Sequence, residues 1–277
     1  MKKILITGAG SYIGTSFAEY LAEHFPADYR VDTLDMIGDS WKSADFSGYD
    51  AIFHVAGIAH QKETRHNAPL YYTVNRDLAE AVARKAKQNG VKLMVFLSTM
   101  SVYGMETGTI NKDTIPHPRS HYGRSKLEAE QLLLPLQDDH FAVAVLRPPM
   151  VYGKGCRGNF QSVVKLVRKL PIFPKVNNQR SMIHIDTLCA YVEQLIRNGE
   201  GGLHLPQNSS YMNTSEMACY IAEALGKKLR LSTFLGFCVR LARPFLKPLQ
   251  KAFGSLIYVQ DVPEQDLSNK DSVIRSI

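Results

Sequence analysis

Several absences narrow this sequence before any motif is read. The four cysteines, Cys156, Cys189, Cys219 and Cys238, form no CxxC pair and no histidine–cysteine cluster. Neither a zinc site nor a disulfide framework is indicated, so free thiols in a reducing cytoplasm are expected. No apolar run is long enough to cross a bilayer. MKKILITGAG has only about four apolar residues before its glycines, too few for a signal-peptide core. STFLGFCVRLARPFLKPL is interrupted by Arg240, Arg243 and Lys247, well short of a membrane span. Internal repeats and low-complexity tracts are also missing. An acidic surplus is absent as well: 33 Lys and Arg face 26 Asp and Glu, for a net charge of +7. That balance suits anionic ligands. Most basic residues are dispersed, so nucleic acid is not the expected partner. The only local basic cluster is GKKLRL (226 to 231) running into VRLARPFLKPLQK (239 to 251).

What is present is ordinary in bulk and ordered in detail. With 277 residues and a hydrophobic share of 45%, the chain can bury one large core or two lobes. Its first half alternates short apolar runs with helical patterns, which predicts a parallel sheet with helices on both faces. The strand candidates are KKILITG (2 to 8), RVDTLD (30 to 35), AIFHVAG (51 to 57), KLMVFLST (92 to 99) and FAVAVLRP (141 to 148). The clearest helix is TVNRDLAEAVARKAKQNG (73 to 90), stopped by Asn89 and Gly90. Past residue 150 the texture shifts to loops punctuated by Gly and Pro. The expected division is therefore a doubly wound α/β domain over 1–150, with 184–206 returning to its sheet, and a smaller lobe over 151–277.

Two local patterns carry chemistry. ILITGAGSYIGTSFAEYL (4 to 21) reads as strand, glycine-rich turn and helix start. Glycines let a backbone approach a ligand closely, and a helix N-terminus presents N–H groups and a positive dipole to a pyrophosphate. The candidate phosphate loop is Gly8, Gly10, Ser11, Tyr12, Ile13 and Gly14, with Ser11 standing where a regular spacing wants its middle glycine. Asp35 ends the second predicted strand, where an acid accepts from an adenosine ribose and repels a 2′-phosphate. NAD is favoured over NADP on that ground, although Lys42 lies near. The second pattern is Tyr122 followed four residues later by Lys126 in HYGRSKLEAE. On a helix the two side chains share a face, and a nearby ammonium lowers a phenol's pKa. Taken alone, the pair reads first as a surface tyrosine beside a solvated lysine, and only the rest of the chain moves that reading.

Taken together, TGAGSYIG (7 to 14), FHVAG (53 to 57), FLSTMSVYG (96 to 104), YGRSKLEAE (122 to 130), LRPPMVYG (146 to 153), GNF (158 to 160) and RSMIHID (180 to 186) carry a family likeness. The chain resembles the extended short-chain dehydrogenase/reductases, within the NAD-dependent epimerase/dehydratase group that modifies nucleotide sugars. The resemblance implies a Rossmann-type sheet domain with a smaller C-terminal substrate-binding lobe. It makes Tyr122 the acid/base, and Lys126 the group that holds the nicotinamide ribose and keeps the phenol acidic. Thr99, four residues before Tyr103, becomes the hydroxyl that donates to the substrate oxygen. Val55, Ala56 and Gly57 end the family's fourth strand, beside the cofactor, and Pro148 and Pro149 fall by the nicotinamide. Met150 stands where an asparagine is often found. Asn159 and Arg180 match positions that touch the nucleotide part of the substrate, and Met100 follows Thr99 at the sugar. Asn75 matches a usual, structural residue.

Sugar dehydratases of the group carry an Asp–Glu pair directly after the catalytic threonine. Met100 and Ser101 stand there instead and can neither protonate nor deprotonate at that point, so dehydration is disfavoured. The leading expectation is a UDP-hexose or UDP-N-acetylhexosamine 4-epimerase, and a nucleotide-4-keto-sugar reductase with the same three residues follows closely. A catalytically silent NAD-binding regulator is third. The chain's shortness hints at a reductase, and Asp35 leans back toward an epimerase that recycles NAD. A homodimer and a role in polysaccharide synthesis are usual for such relatives. FLGFCVRLARPFLKPLQKAFGSLIY (234 to 258) admits two readings: an interfacial helix drawn to anionic lipid, or a part of the substrate lobe with its cations toward the diphosphate. Pro244 and Pro248 break any long helix there, which favours the lobe.

Overall fold

The computed structural model describes residues 1–59, 61–156, 158–259 and 269–277. The chain divides into two compact units. Met1–Gly104, Pro116–Pro148 and Ile185–Pro206 form the first, and Met105–Ile115, Pro149–His184 and Gln207–Ile277 the second. Residues 105–115 thus leave the first unit, which the sequence pattern had given them to. The reason is pairing: Gly108–Ile110 lies parallel to Leu256–Tyr258 of the second unit.

The first unit is a parallel α/β sheet of the Rossmann type. Its strands are β1 (Lys2–Thr7), β2 (Tyr29–Leu34), β3 (Ala51–His54), β4 (Leu93–Leu97), β5 (Ala142–Leu146) and β6 (Gly202–His204). They are ordered β6-β5-β4-β3-β1-β2, and every neighbouring pair is parallel. The inner strands read as unbroken apolar runs because both of their faces are covered. Ile4, Leu5, Ile6, Ile52, Phe53, Met94, Val95 and Phe96 are all buried.

The helix Leu78–Gln88 explains its own placement. Ala79, Val82, Ala83 and Ala86 recur at one-turn spacing and are fully buried, so a narrow, small-residue face lets the helix sit close on the sheet. The same core takes in Ala129 and Leu133 from the helix His121–Leu133. The predicted helix start at residue 73 is altered: Thr73–Asp77 is a π turn, a local widening that frees backbone geometry. AIFHVAG contributes the third strand of the chain, not a fourth, and it ends at His54, so Val55–Gly57 form a loop. The path from β1 runs first to β2 on one side, then to β3 on the other. That reversal opens a crevice at the carboxyl ends of β1 and β3, where ligands of such sheets bind.

The second unit holds short parallel pairs, Met150–Tyr152 with Met182–His184 and Ile172–Pro174 with Arg230–Ser232. Helices Asn159–Lys169, Thr214–Ala224 and Asn269–Arg275 belong to it. Its polar centre is the buried Tyr152 hydroxyl, 2.6 Å from Ser272 Oγ and accepting from Asn208 Nδ2 at 2.9 Å. The apolar and basic stretch forms two short helices, Thr233–Ala242 and Lys247–Phe253, with Pro248 in the first turn of the latter. Among the described residues, no helix is long and apolar enough to cross a membrane.

Candidate functional site

The glycine-rich turn after β1 is shaped for close approach. Gly8 has φ +118°, and a Cβ on it would lie 2.7 Å from the Ala56 backbone nitrogen, so only glycine lets the β1 and β3 loops meet. That contact is fixed by the amides of Val55 and Ala56, both donating to the Thr7 carbonyl at 3.0 and 2.9 Å. Gly10, at φ +72°, meets nothing within 4 Å of a built Cβ and faces open space. Gly14 is the close-packing glycine: a Cβ there would press on Ile6 and Val55. Ser11 takes the N-cap position of the helix Tyr12–His24 and accepts from the Gly14 amide at 3.2 Å. The missing middle glycine is therefore a serine with a capping task, and Tyr12 and Ile13 form the first turn behind it. Asp35 is exposed just past β2, its carboxylate accepting from the Ile37 amide at 3.0 Å. Lys42 pairs with Asp39 at 2.7 Å, which turns its charge toward a neighbouring acid. These residues fit a dinucleotide: an open glycine cradle at a helix N-terminus, with a carboxylate at the end of the next strand.

The helix His121–Leu133 brings the tyrosine and lysine to the same end of the sheet. Ser120 caps it, accepting from the Gly123 amide at 3.0 Å, and the Glu63 carboxylate accepts from the amides of His121 and Tyr122, each at 2.9 Å. An anion at a helix N-terminus is doubly favoured, by hydrogen bonds and by the dipole. Thr99 caps the 3₁₀ turn Met100–Tyr103, accepting from the Ser101 amide at 3.1 Å. The Met100 amide in turn donates to the Pro148 carbonyl at 3.0 Å, which pins the threonine turn to the strand end after β5. Burial raises the Tyr122 phenol above its ordinary pKa, and a hydrogen bond with Thr99 opposes that rise. Thr99 and Tyr122 are thus in contact, but the lowered phenol pKa expected from Lys126 is not what this arrangement produces.

Lys126 points elsewhere. Its Nζ donates to the Leu97 carbonyl at 2.8 Å and lies 4.6 Å from the Phe96 ring centre. Burial lowers its pKa to about 8, with Glu130 pulling the other way. A Cβ on Gly57 would stand 3.3 Å from that nitrogen and 2.9 Å from Asn75 Oδ1, so the VAG loop, the π turn and the lysine form one close junction. Asn75 seals it. Its amide accepts from Ile58 N at 2.7 Å and donates to Ile58 O and Ser125 Oγ, both at 3.1 Å. Beneath lies His54, bonded through Nδ1 to Thr7 Oγ1 at 2.8 Å and held near pKa 3 by burial and the Lys126 charge. It stays neutral and acts as packing.

A buried ion pair backs the whole face. Arg147 Nε donates to both Glu130 oxygens at 3.1 Å, and its Nη1 donates to the Tyr103 hydroxyl at 2.8 Å. Ser98 Oγ donates to the same Glu130 carboxylate. Sequence reasoning named neither Glu130 nor Arg147, although both stand inside the quoted motifs, the glutamate one turn after Lys126. Glu63 gave no signal, since its bonds to residues 121 and 122 join positions 58 and 59 apart in the chain. Of the substrate candidates, Met100 belongs to the first unit. Asn159 and Arg180 lie in the second: Asn159 is exposed at a helix start, and Arg180 donates to the Gly254 carbonyl at 2.9 Å.

A phenol hydrogen-bonded to a threonine hydroxyl, on the helix that also carries a buried lysine, is a donor and acceptor set that can pass a proton to or from an alcohol or carbonyl oxygen. Residues 4–206 match the family described as NAD dependent epimerase/dehydratase. The chain belongs to that family. It is 31% identical to the UDP-glucose 4-epimerase of Vibrio cholerae, the match covering 82% of this chain and 76% of that one. It is 26% identical to the GDP-6-deoxy-D-mannose reductase of Pseudomonas aeruginosa, over 73% and 72%. The crystal structure of UDP-glucuronic acid 4-epimerase from Bacillus cereus in complex with NAD superposes with a TM-score of 0.76 at 19% identity, covering 99% of this chain and 95% of that one. Epimerases and reductases of sugars therefore both stand among the family members it is similar to, and the NAD-dependent family agrees with the acidic residue after β2.

Two predictions follow from the buried charges. Arg147→Met should cost about 3–5 kcal/mol in urea unfolding by leaving Glu130 uncompensated. Joining it to Glu130→Leu should recover most of that loss, and equal losses in the single and double variants would contradict the pairing. For Lys126, the folded-state pKa of about 8 lies below the ordinary 10.5. Between those values the unfolded chain binds a proton that the folded chain has shed, so stability rises with pH across that window. The unfolding free energy of the wild type minus that of Lys126→Met should climb from pH 8 toward 10.5, and a flat difference would remove the buried ammonium from the account.

Proposed function

We propose that this protein is a nucleotide-sugar 4-epimerase that works on a UDP-hexose or UDP-N-acetylhexosamine with retained NAD. The observation that carries the reading is the hydrogen-bonded Thr99–Tyr122 pair, with the buried Lys126 on the same helix. As the phenolate, Tyr122 takes the proton of the sugar hydroxyl, and as the neutral phenol it gives that proton back to the same oxygen. Thr99 donates to the same substrate oxygen and so stabilises the charge that grows there. Lys126, its ammonium held by the Leu97 carbonyl and the Phe96 ring, would donate to the nicotinamide ribose. When bound, NAD supplies hydride acceptance and return. Gly8, Gly10, Ser11 and Gly14 would hold its pyrophosphate and Asp35 its adenosine ribose, with Val55, Ala56, Gly57, Lys126 and Pro148 along the remainder. Asn159 and Arg180 of the second unit would take the nucleotide and diphosphate of the sugar.

Reversible oxidation needs no further acid/base, and none follows Thr99: Met100 and Ser101 leave the dehydratase chemistry without its pair. Similarity to the Vibrio cholerae 4-epimerase supports epimerisation. A 4-keto-sugar reductase, supported by the Pseudomonas aeruginosa relative, uses the same residues in one direction and exchanges its cofactor each turnover.

Purified protein given UDP-glucose or UDP-N-acetylglucosamine, with no added cofactor, should form the galacto epimer, read from anomeric proton signals by NMR. Conversion of a 4-keto sugar only when reduced cofactor is added would establish the reductase instead. Tyr122→Phe should lower turnover on the order of 100-fold or more while leaving cofactor retention unchanged, and full activity in that variant would refute the mechanism. Asp35→Ala should narrow the ratio of NAD to NADP affinity, measured by fluorescence titration, because its carboxylate repels the 2′-phosphate.

A further inference from the structure

The chain's net charge coincides with a cluster of exposed apolar side chains. Between residues 224 and 259 there are seven cations, Lys227, Lys228, Arg230, Arg240, Arg243, Lys247 and Lys251, and not one Asp or Glu. The remainder of the sequence then holds 26 basic and 26 acidic residues, so this segment accounts for the entire net charge of +7. Within it the helix Thr233–Ala242 is amphipathic but turned outward. Phe234, Phe237 and Leu241 recur at three- and four-residue spacing and are 72%, 54% and 57% exposed, and Phe245 and Leu246 continue the stripe at 85% and 50%. The opposite face is anchored. Gly236 is buried with its backbone against the Lys175 carbonyl, and Arg243 donates to the Phe253 carbonyl at 3.2 Å. Ser232 fixes the start of the helix by accepting from the Leu235 amide at 3.2 Å.

We propose that this face is a docking surface for an anionic lipid bilayer. A run of bulky apolar tips flanked by long basic side chains is the pattern of an interfacial helix, with rings entering the acyl boundary and cations reaching the headgroups. Ten residues of helix rise about 15 Å, and the prolines that follow turn the chain back, so the segment lies along the surface and cannot span it. Self-association through the same patch would set the exposed Arg240, Lys247 and Lys251 against their copies, with no Asp or Glu in the segment to answer them. A site for a small diphosphate would aim the cations inward, whereas Arg240, Lys247 and Lys251 are all exposed. The proposal is independent of the reaction and extends beyond it.

Full-length protein should sediment with vesicles of phosphatidylcholine containing about one-third phosphatidylglycerol, and not with phosphatidylcholine alone, with binding that weakens as salt rises. Phe237→Ser combined with Phe245→Ser should weaken binding about tenfold or more. Arg240→Gln, Lys247→Gln and Lys251→Gln together should weaken it on the order of 100-fold. Both sets change only exposed side chains, and thermal melting matched to the wild type checks that each is folded; the charge set decides if the phenylalanine set is not. No sedimentation with the anionic vesicles would overturn the proposal, as would equal sedimentation with both kinds. So would concentration-dependent self-association that Phe237→Ser abolishes without any vesicle binding, since a second copy would then be the occupant.

Discussion

The ion pair between Glu130 and Arg147 is the interaction on which the candidate site rests. Two charges out of water are costly unless every remaining lone pair and proton is answered, and here they are. Arg147 serves both glutamate oxygens and the Tyr103 hydroxyl, and Ser98 fills the remaining place on the carboxylate. Each partner comes from a different segment: the helix of Tyr122 and Lys126, the end of β5, the turn that follows Thr99, and the residue before Thr99. A shift in any of these would leave a buried charge unsatisfied. The pair therefore sets the register between the threonine turn and the tyrosine helix.

Lys126 shows the other side of burial. A cation enclosed among Phe96, Gly57 and Asn75 holds its proton less tightly, and one backbone carbonyl and one aromatic face provide its compensation. Room for it exists because Gly57 has no side chain and because the π turn at Thr73–Asp77 turns Asn75 inward to bind the Ile58 backbone. The phenol and the ammonium, which sequence spacing had set face to face, are instead supported separately, the first by Thr99 and the second by Leu97. Neither group therefore neutralises the other.

The second unit divides its surface by a similar economy of contacts. Gly236 brings a helix close through its smallest residue and leaves the large ones outside. An apolar stripe is thereby displayed among exposed cations.

Much of this was legible in the residues. Apolar runs with helical patterns between them determined the parallel sheet, because strands covered on both faces need continuous hydrophobic sequence. The spacing of Gly8, Gly10 and Gly14, the acid at residue 35 and the four-residue step from Tyr122 to Lys126 are local facts, and local geometry decides them. Long-range pairing is what sequence could not disclose. Glu63 reaches the start of the tyrosine helix across 58 residues, Arg147 finds Glu130 through the packed core, and residues 105–115 join a strand near residue 257. The direction of the apolar stripe on Thr233–Ala242 belongs to the same class. Periodicity states that a helix has two faces, but only the packing of Gly236 decides which one is left to the solvent.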